Sequence, residues 1–274
     1  MSNAVIFEDV QFMHEGKVIL SGINATVESG EIFFVLGPNG SGKTILAKIA
    51  AGLLTPTGGK ISLMGTSAHV STRRFELGVR KQIGFIPQTG GLISNRTVFE
   101  NLSLKAMFFE YQTDQETLRK IIQPFAEKFE IDQYYDTFPN FLSPGIQKRV
   151  MIVRAMITHT PILIIDSLSQ DLDQLQALRT LALLKEVQQS NKFTLILFSS
   201  FLEPELEISN RFAVLNNGKL ETIATTKEEL YKDKWIVEIA KAGKSLGRES
   251  GMLDTRTIYR KDFEAKMEQQ KKGD

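Results

Sequence analysis

Cysteine is absent from the 274 residues, which excludes disulfides and thiolate metal sites. Histidine is nearly absent: His14, His69 and His159 stand far apart and show no metal-ligand spacing. Long apolar runs are missing too. The longest, around Phe33-Phe34-Val35-Leu36 and Ile162-Leu163-Ile164-Ile165, are far too short to span a bilayer. The opening residues, MSNAVIFEDV, lack a basic segment followed by an apolar one, so no signal peptide is expected and a reducing, cytosolic setting follows. No excess of one charge sign exists: Lys plus Arg is 33 and Asp plus Glu is 32, for a net charge of +1. A nucleic-acid surface calls for a clear basic excess, so no nucleic-acid partner is expected. What remains is an ordinary globular composition, 42% hydrophobic and 24% charged, at a length that suits one or two domains.

The pattern along the chain alternates in kind. Val5-Ile6-Phe7, Val10-Gln11-Phe12 and Ile23 to Val27 read as strands. Glu31 to Leu36 is a short apolar strand that runs into glycines, and a helix is expected from Lys43 with Ile45, Leu46, Ile49 and Ala50 on its apolar stripe. Gly58-Gly59-Lys60 is read as a break before a strand from Ile61 to Met64, and Pro87 as the stop of a strand that begins at Ile83. Between about Gly90 and Leu142 the strand signals vanish, and Val98 to Glu110 and Thr117 to Phe129 carry helical spacing. The α/β alternation then resumes: helix Gly145 to Thr158, strand Ile162 to Ile165, helix Leu172 to Gln189, strand Thr194 to Phe198. Asn216-Asn217-Gly218 marks a hairpin between Phe212 to Leu215 and Leu220 to Ile223. The expected fold is α/β: a mostly parallel core sheet, an N-terminal antiparallel β subdomain, and a helical subdomain inserted at about 90–142. Residues 1–240 form the main domain, and the charge-rich stretch 241–274 is a tail or an interface extension.

Gly37-Pro38-Asn39-Gly40-Ser41-Gly42-Lys43-Thr44 fits the phosphate-binding P-loop, with a strand before it and the helix that carries Ile45 after it. A triphosphate needs many N–H donors at once, and a glycine-rich backbone is what can wrap it closely. The helix N-terminus adds partial positive charge. Lys43 is expected on the β- and γ-phosphates of ATP and the Thr44 hydroxyl on Mg²⁺. The strand Ile162 to Ile165 ends in Asp166, at the carboxyl edge where α/β sheets bind ligands. Asp166 is expected to hold Mg²⁺ through water. A glycine-rich turn with a chance lysine, and an aspartate that merely caps a helix, are the bland alternatives.

With Leu142-Ser143-Pro144-Gly145-Ile146-Gln147 added, the chain resembles the ATP-binding-cassette (ABC) ATPases over about residues 3–230. Their signature loop reads Leu-Ser-Gly-Gly-Gln. Here Leu142, Ser143 and Gly145 match, while Pro144 and Ile146 depart. The resemblance implies a P-loop NTPase fold, and a composite site in which Ser143 and Gly145 face the γ-phosphate of ATP on a second subunit. Ser143 and Pro144 equally suit a helix start, and proline removes one N–H. The resemblance also implies that Gln88 senses Mg²⁺ and the membrane partner. It places His14, with Phe12 as competitor or as a plain exposed histidine, where an aromatic stacks on adenine, and Leu172-Asp173 in a loop that touches the other subunit. Two departures stand at the chemistry. The family's base, a glutamate after the Mg²⁺ aspartate, is Ser167 here, and its histidine after the next strand is Ser200. Neither serine takes a proton near neutral pH, and Glu203 and Glu205 lie too far along to replace them. Binding is therefore expected to survive while hydrolysis is impaired, by about 10²–10⁴ in rate.

Arg80 to Leu92 followed by Thr97-Val98-Phe99-Glu100-Asn101-Leu102 is most similar to the ATPases of Mla/Mce-type lipid transporters. That likeness implies a peripheral subunit on the cytoplasmic face of the membrane, beneath permease subunits and paired with a second ABC ATPase as homodimer or heterodimer. The other reading is an ATP-binding regulatory switch without transport.

Overall fold

The first two strand signals run into each other. In a computed structural model that describes residues 2–67, 78, 81–109, 114–158, 160–169, 172–200, 202 and 204–245, Val5-Ile6-Phe7 and Val10-Gln11-Phe12 belong to one strand, β1 (Asn3–His14). Its pairing shifts register between Phe7 and Val10, where Asp9 bulges out at φ 50°. The bulge explains why the sequence reads as two pieces: it resets which face each side chain meets. β1 pairs antiparallel with β2 (Lys17–Glu28) and with β4 (Gly58–Leu63), and β5 (Thr66–Ser67) extends the sheet in the order β2-β1-β4-β5. The expected break at Gly58-Gly59-Lys60 is instead the start of β4. Gly59 lies in the sheet because the bulge crowds it. At φ +74°, a Cβ there would stand 2.1 Å from the Asp9 carbonyl oxygen, so a glycine is what lets the two backbones approach.

The core sheet is six-stranded, in the order β10-β9-β3-β8-β7-β6. β3 (Ile32–Leu36), β6 (Ile83–Ile86), β7 (Ile162–Asp166), β8 (Thr194–Ser199) and β9 (Arg211–Asn216) run parallel, and β10 (Lys219–Ala224) returns antiparallel through the Asn217-Gly218 turn. Both turn residues have positive φ, 46° and 72°, the twist that a two-residue hairpin needs. Every residue of β3, β7 and β8 is buried. This is why these strands read as unbroken apolar runs: a parallel sheet is covered on both faces, and each buried Ile, Leu or Phe contributes roughly 1.5–3 kcal/mol.

α1 (Lys43–Ala50) follows β3 and turns Leu46, Ala47, Ile49 and Ala50 to the core. The region expected to be helical contains α2 (Val98–Phe109) and α3 (Gln115–Lys128), two short 3-10 turns, and no strand among its described residues. α4 (Pro144–Met156) fastens it to the body: Arg149 donates to the Phe129 carbonyl at 3.3 Å and to Glu130 at 2.6 Å. The half-buried Lys105 ammonium bonds the Ala155 carbonyl at 2.8 Å and Thr160 Oγ1 at 2.7 Å. α5 (Gln174–Asn191) follows β7 with Asp173 as its N-cap, and α6 (Lys227–Leu230) opens on a capping box made by Thr226 and Glu229. These elements lie in a compact unit of residues 1–233, and residues 234–274 make up a second, of which α7 (Lys234–Ser245) is described. Residues 246–274, most of the stretch expected to be a tail, lie outside the described residues.

Replacing Gly59 by alanine is expected to cost about 2–3 kcal/mol, since it forces a side chain into a positive-φ position against backbone. Gly16→Ala, at φ +76° with nothing within 4 Å, is expected to cost about 1 kcal/mol. Thermal unfolding of the two variants checks the difference.

Candidate functional site

β3 ends at Leu36 and the chain must then turn from sheet to helix within Gly37 to Gly42. Three contacts decide its path. Gly37 lies so near β9 that a Cβ would stand 2.0 Å from the Leu215 carbonyl oxygen. Gly40 and Gly42 take φ of 81° and 104°, and a Cβ at Gly42 would strike Leu20 of β2 at 2.7 Å. The turn between β9 and β10 closes over the loop: the Gly218 amide donates to the Ser41 carbonyl at 3.2 Å, and the Ser21 amide to the Gly218 carbonyl at 2.8 Å. The cradle is thus gripped by both sheets.

Lys43 is buried in its own loop, where its ammonium donates to the Gly37 carbonyl at 2.9 Å and the Pro38 carbonyl at 2.8 Å. Burial lowers its pKa to about 8, a fall that the Asp166 carboxylate partly offsets. Asp166, at the buried end of β7, has its pKa raised by desolvation, against which the Thr44 hydroxyl bonded to it and the charges of Lys43, Lys48 and Lys148 act. Beside them the Ser41 hydroxyl is buried with no hydrogen-bond partner. A buried cation short of counter-charge and a buried hydroxyl short of a partner are what an anion entering the cradle would satisfy. The Thr44 hydroxyl and the Asp166 carboxylate are hard oxygens that suit Mg²⁺, which is commonly held by one carboxylate together with phosphates. No cluster of three or more His, Cys, Asp or Glu that could hold a metal occurs among the described residues.

These groups open into a cleft of about 270 Å³ lined by Asn39, Gly40, Gly42, Lys43, Thr44, Ile45, Gln88, Asp166, Ser167, Ser200 and Ile19. All but Ile19 are residues expected at the site, brought together from four segments. Ile19 carries no mark in the sequence: β2 delivers it from the other sheet. Ser167 is nearly buried, sits at φ 59°, and donates its amide to the Phe198 carbonyl at 2.8 Å. Across the cleft the Ser200 hydroxyl donates to Asn39 Oδ1 at 2.7 Å. The Gln88 carbonyl accepts from the buried Lys148 ammonium at 3.5 Å. Among the described residues of the cleft lining, Lys43 and Asp166 are the ionisable side chains; the positions where the resemblance implies glutamate and histidine hold hydroxyls.

His14 is exposed at the end of β1, opposite Lys17, and does not line the cleft, while Phe12 belongs to the core. Ser143 caps α4 by accepting from the Ile146 amide at 3.4 Å. Gly145 packs under Gln176, whose Oε1 would stand 1.6 Å from a Cβ there. Both lie away from this chain's cleft. Leu172 and Asp173 are described, while Glu203, Gln170 and Asp171 lie outside the described residues. Thr97 and Glu100 form reciprocal bonds of 3.3 and 2.7 Å, and the Asn101 side chain bonds Ile93, Arg96 and Thr97. These bonds hold the loop after Gln88 in shape.

Residues 20–170 match the ABC transporter family. The chain belongs to that family. It is 31% identical over 227 residues to the glucose import ATP-binding protein GlcV of Saccharolobus solfataricus, spanning 82% of this chain and 64% of that one. It is 27% identical to the methionine import ATP-binding protein MetN of Chlamydia pneumoniae, over 83% of this chain and 67% of that one. A Nod factor export ATP-binding protein of Rhizobium is 30% identical over 74% of this chain and 64% of that one. The chain thus spans about two thirds of the length of these relatives. Among solved structures, a dimeric post-hydrolysis ATP-binding cassette bound to ADP and Pi superposes with a TM-score of 0.75 at 26% identity, covering 81% of this chain and 98% of that one.

Ser41→Ala is expected to act with opposite signs. Removing an unsatisfied buried hydroxyl stabilises the ligand-free chain by up to about 1 kcal/mol, while affinity for MgATP falls about tenfold. Thermal unfolding with and without nucleotide measures both.

Proposed function

We propose that this chain is the nucleotide-binding subunit of an ABC transporter: it binds MgATP in the cleft and pairs with a second ATPase subunit beneath membrane permease subunits. It hydrolyses ATP slowly by itself. The observation that carries the reading is the contrast within one cleft. The binding half, Lys43 with the unpartnered Ser41 hydroxyl, Thr44 and Asp166, is complete. The half that would take a proton from water is Ser167 and Ser200. Mg²⁺ held by Thr44, Asp166 and, through its side chain, Gln88 would shield the phosphate charge. The lysine and the loop amides grip the β- and γ-phosphates, and Ile45 follows on the helix side. His14 would meet the adenine only from the exposed end of β1, so its contribution to affinity is small. In a pair of subunits, Ser143 and Gly145 would meet the γ-phosphate bound to the other chain.

The substrate we assign is a lipid, on the likeness of residues 80–102 to the lipid-transporter ATPases. The relatives named above serve import of glucose and of methionine and export of a Nod factor, so family membership alone leaves substrate and direction open. A peripheral place on the cytoplasmic face fits a chain in which no described helix is long and apolar enough to cross a membrane.

Phosphate release by the purified chain tests the reading. The expected turnover is well below about one per second, and MgATP binding is lost in Lys43→Ala. Ser167→Glu combined with Ser200→His is expected to raise turnover by about 10–100-fold, in line with a restored base. Brisk turnover of the unaltered chain that Lys43→Ala abolishes would overturn the impaired-hydrolysis reading. Absence of MgATP uptake by calorimetry would overturn the whole.

A further inference from the structure

Glu205 stands apart from every other carboxylate described. It lies in the 3-10 turn Glu205–Glu207 after β8 and is completely buried. Its Oε1 accepts from the Ser169 amide at 3.2 Å and from the Ser169 hydroxyl at 2.7 Å, while its Oε2 is buried without a partner. Its backbone carbonyl accepts from the Ser209 hydroxyl at 2.8 Å, so the turn that presents it is itself tied down. A buried acid with no cation against it is costly, and a stretch that keeps one has a use for the geometry it imposes.

That geometry bears on the cleft. Asp166, Ser167, Leu168 and Ser169 are consecutive, and the first three are buried. The backbone of Ser167 holds a positive φ of 59°, a conformation that costs a non-glycine residue about 1 kcal/mol or more and persists only where the surroundings determine it from both sides. One side is the Phe198 carbonyl, which accepts from the Ser167 amide. The other is Glu205, through Ser169. Both anchors come from β8 and the segment after it. We propose that Glu205 is a positioning residue for the cleft: by holding Ser169 it fixes the left-handed turn at Ser167 and thereby the direction in which Asp166 presents its carboxylate to Thr44. This rests on the reading of the cleft as an MgATP site, and it gives a role to a residue that contacts neither phosphate nor metal.

Burial raises the Glu205 pKa above its ordinary 4.5, and the Ser169 bonds oppose the rise. No charged side chain acts on it from the described elements; the neighbouring Glu207 is paired with Lys227 at 3.2 Å. A folded pKa above the unfolded one means that stability is full below pH 4.5 and is lost as pH rises through the folded value. A glutamine at this place offers Ser169 a carbonyl oxygen where Oε1 accepts.

The test compares Glu205→Gln, Glu205→Ala, Ser169→Ala and the Glu205→Ala/Ser169→Ala double variant. Affinity for a fluorescent ATP analogue is measured with Mg²⁺ and again in excess chelator. Glu205→Ala is expected to weaken binding about tenfold with Mg²⁺ and less than about twofold without it, and Ser169→Ala, which keeps the amide bond, to show a smaller loss with the same dependence on Mg²⁺. The double variant is expected to be no worse than Glu205→Ala alone, and Glu205→Gln to keep the original ratio. Ser169→Ala removes the 2.7 Å hydroxyl bond and keeps the amide bond, without touching the core, so it answers even if Glu205→Ala does not fold. Equal losses with and without Mg²⁺, additive losses, or a Gln variant as poor as Ala overturn the proposal. If the unaltered chain binds no ATP at all, the MgATP reading fails; amide exchange of residues 166–169 then decides on Glu205. Faster exchange in Glu205→Ala but not in Glu205→Gln supports the positioning role, and unchanged exchange in both overturns it.

Discussion

One ammonium organises the site. Lys43 is tied to two carbonyls of the loop it belongs to, so the ligand-free loop is wrapped around its own cation. Everything else in the cradle is shaped by that choice. The backbone is pulled close enough to β9 and β2 that glycine is required at 37 and 42. The Ser41 hydroxyl is shut in, and the Asp166 carboxylate faces a cation that is not fully compensated. A polyanion that replaces the two carbonyls exchanges weak acceptors for strong ones. The cost of burying the lysine is met in advance by the fold, and the gain is realised on binding.

The parallel sheet converts this local arrangement into a site. β3, β7 and β8 are adjacent and parallel, so the loops after Leu36, Asp166 and Ser199 leave the same edge. Three short segments far apart in the chain are thereby placed around one cleft, as is usual for open α/β sheets. The antiparallel sheet adds Ile19 from the side.

The strands, the cradle and Asp166 were legible because each is a local pattern: an apolar run, a glycine spacing, an acid at a strand end. The hairpin at Asn217-Gly218 was legible for the same reason. What escaped is non-local. The bulge at Asp9 breaks the two-residue period of β1, and only the partner strand shows why Gly59 lies inside a strand. Ile19 reaches the cleft through topology, and Lys148 reaches the Gln88 carbonyl in the same way. Glu205 lies too far along the chain to replace the base, and it does not line the cleft. Its importance lies in Ser169, a contact between residues 36 apart that no periodicity announces. The Thr97, Glu100 and Asn101 pattern, in turn, reads as a family trait in the sequence and as loop architecture in the structure.

The hairpin turn between β9 and β10 has a consequence for anyone who alters this protein. Hairpin tips are ordinarily permissive places for tags and inserted loops. Here the tip at Gly218 is hydrogen-bonded at once to the phosphate cradle and to β2, and a Cβ on it would collide with the Ile19 carbonyl at 2.3 Å. It is a clasp between the two sheets, and lengthening it would splay them apart at the place where the triphosphate is meant to lie.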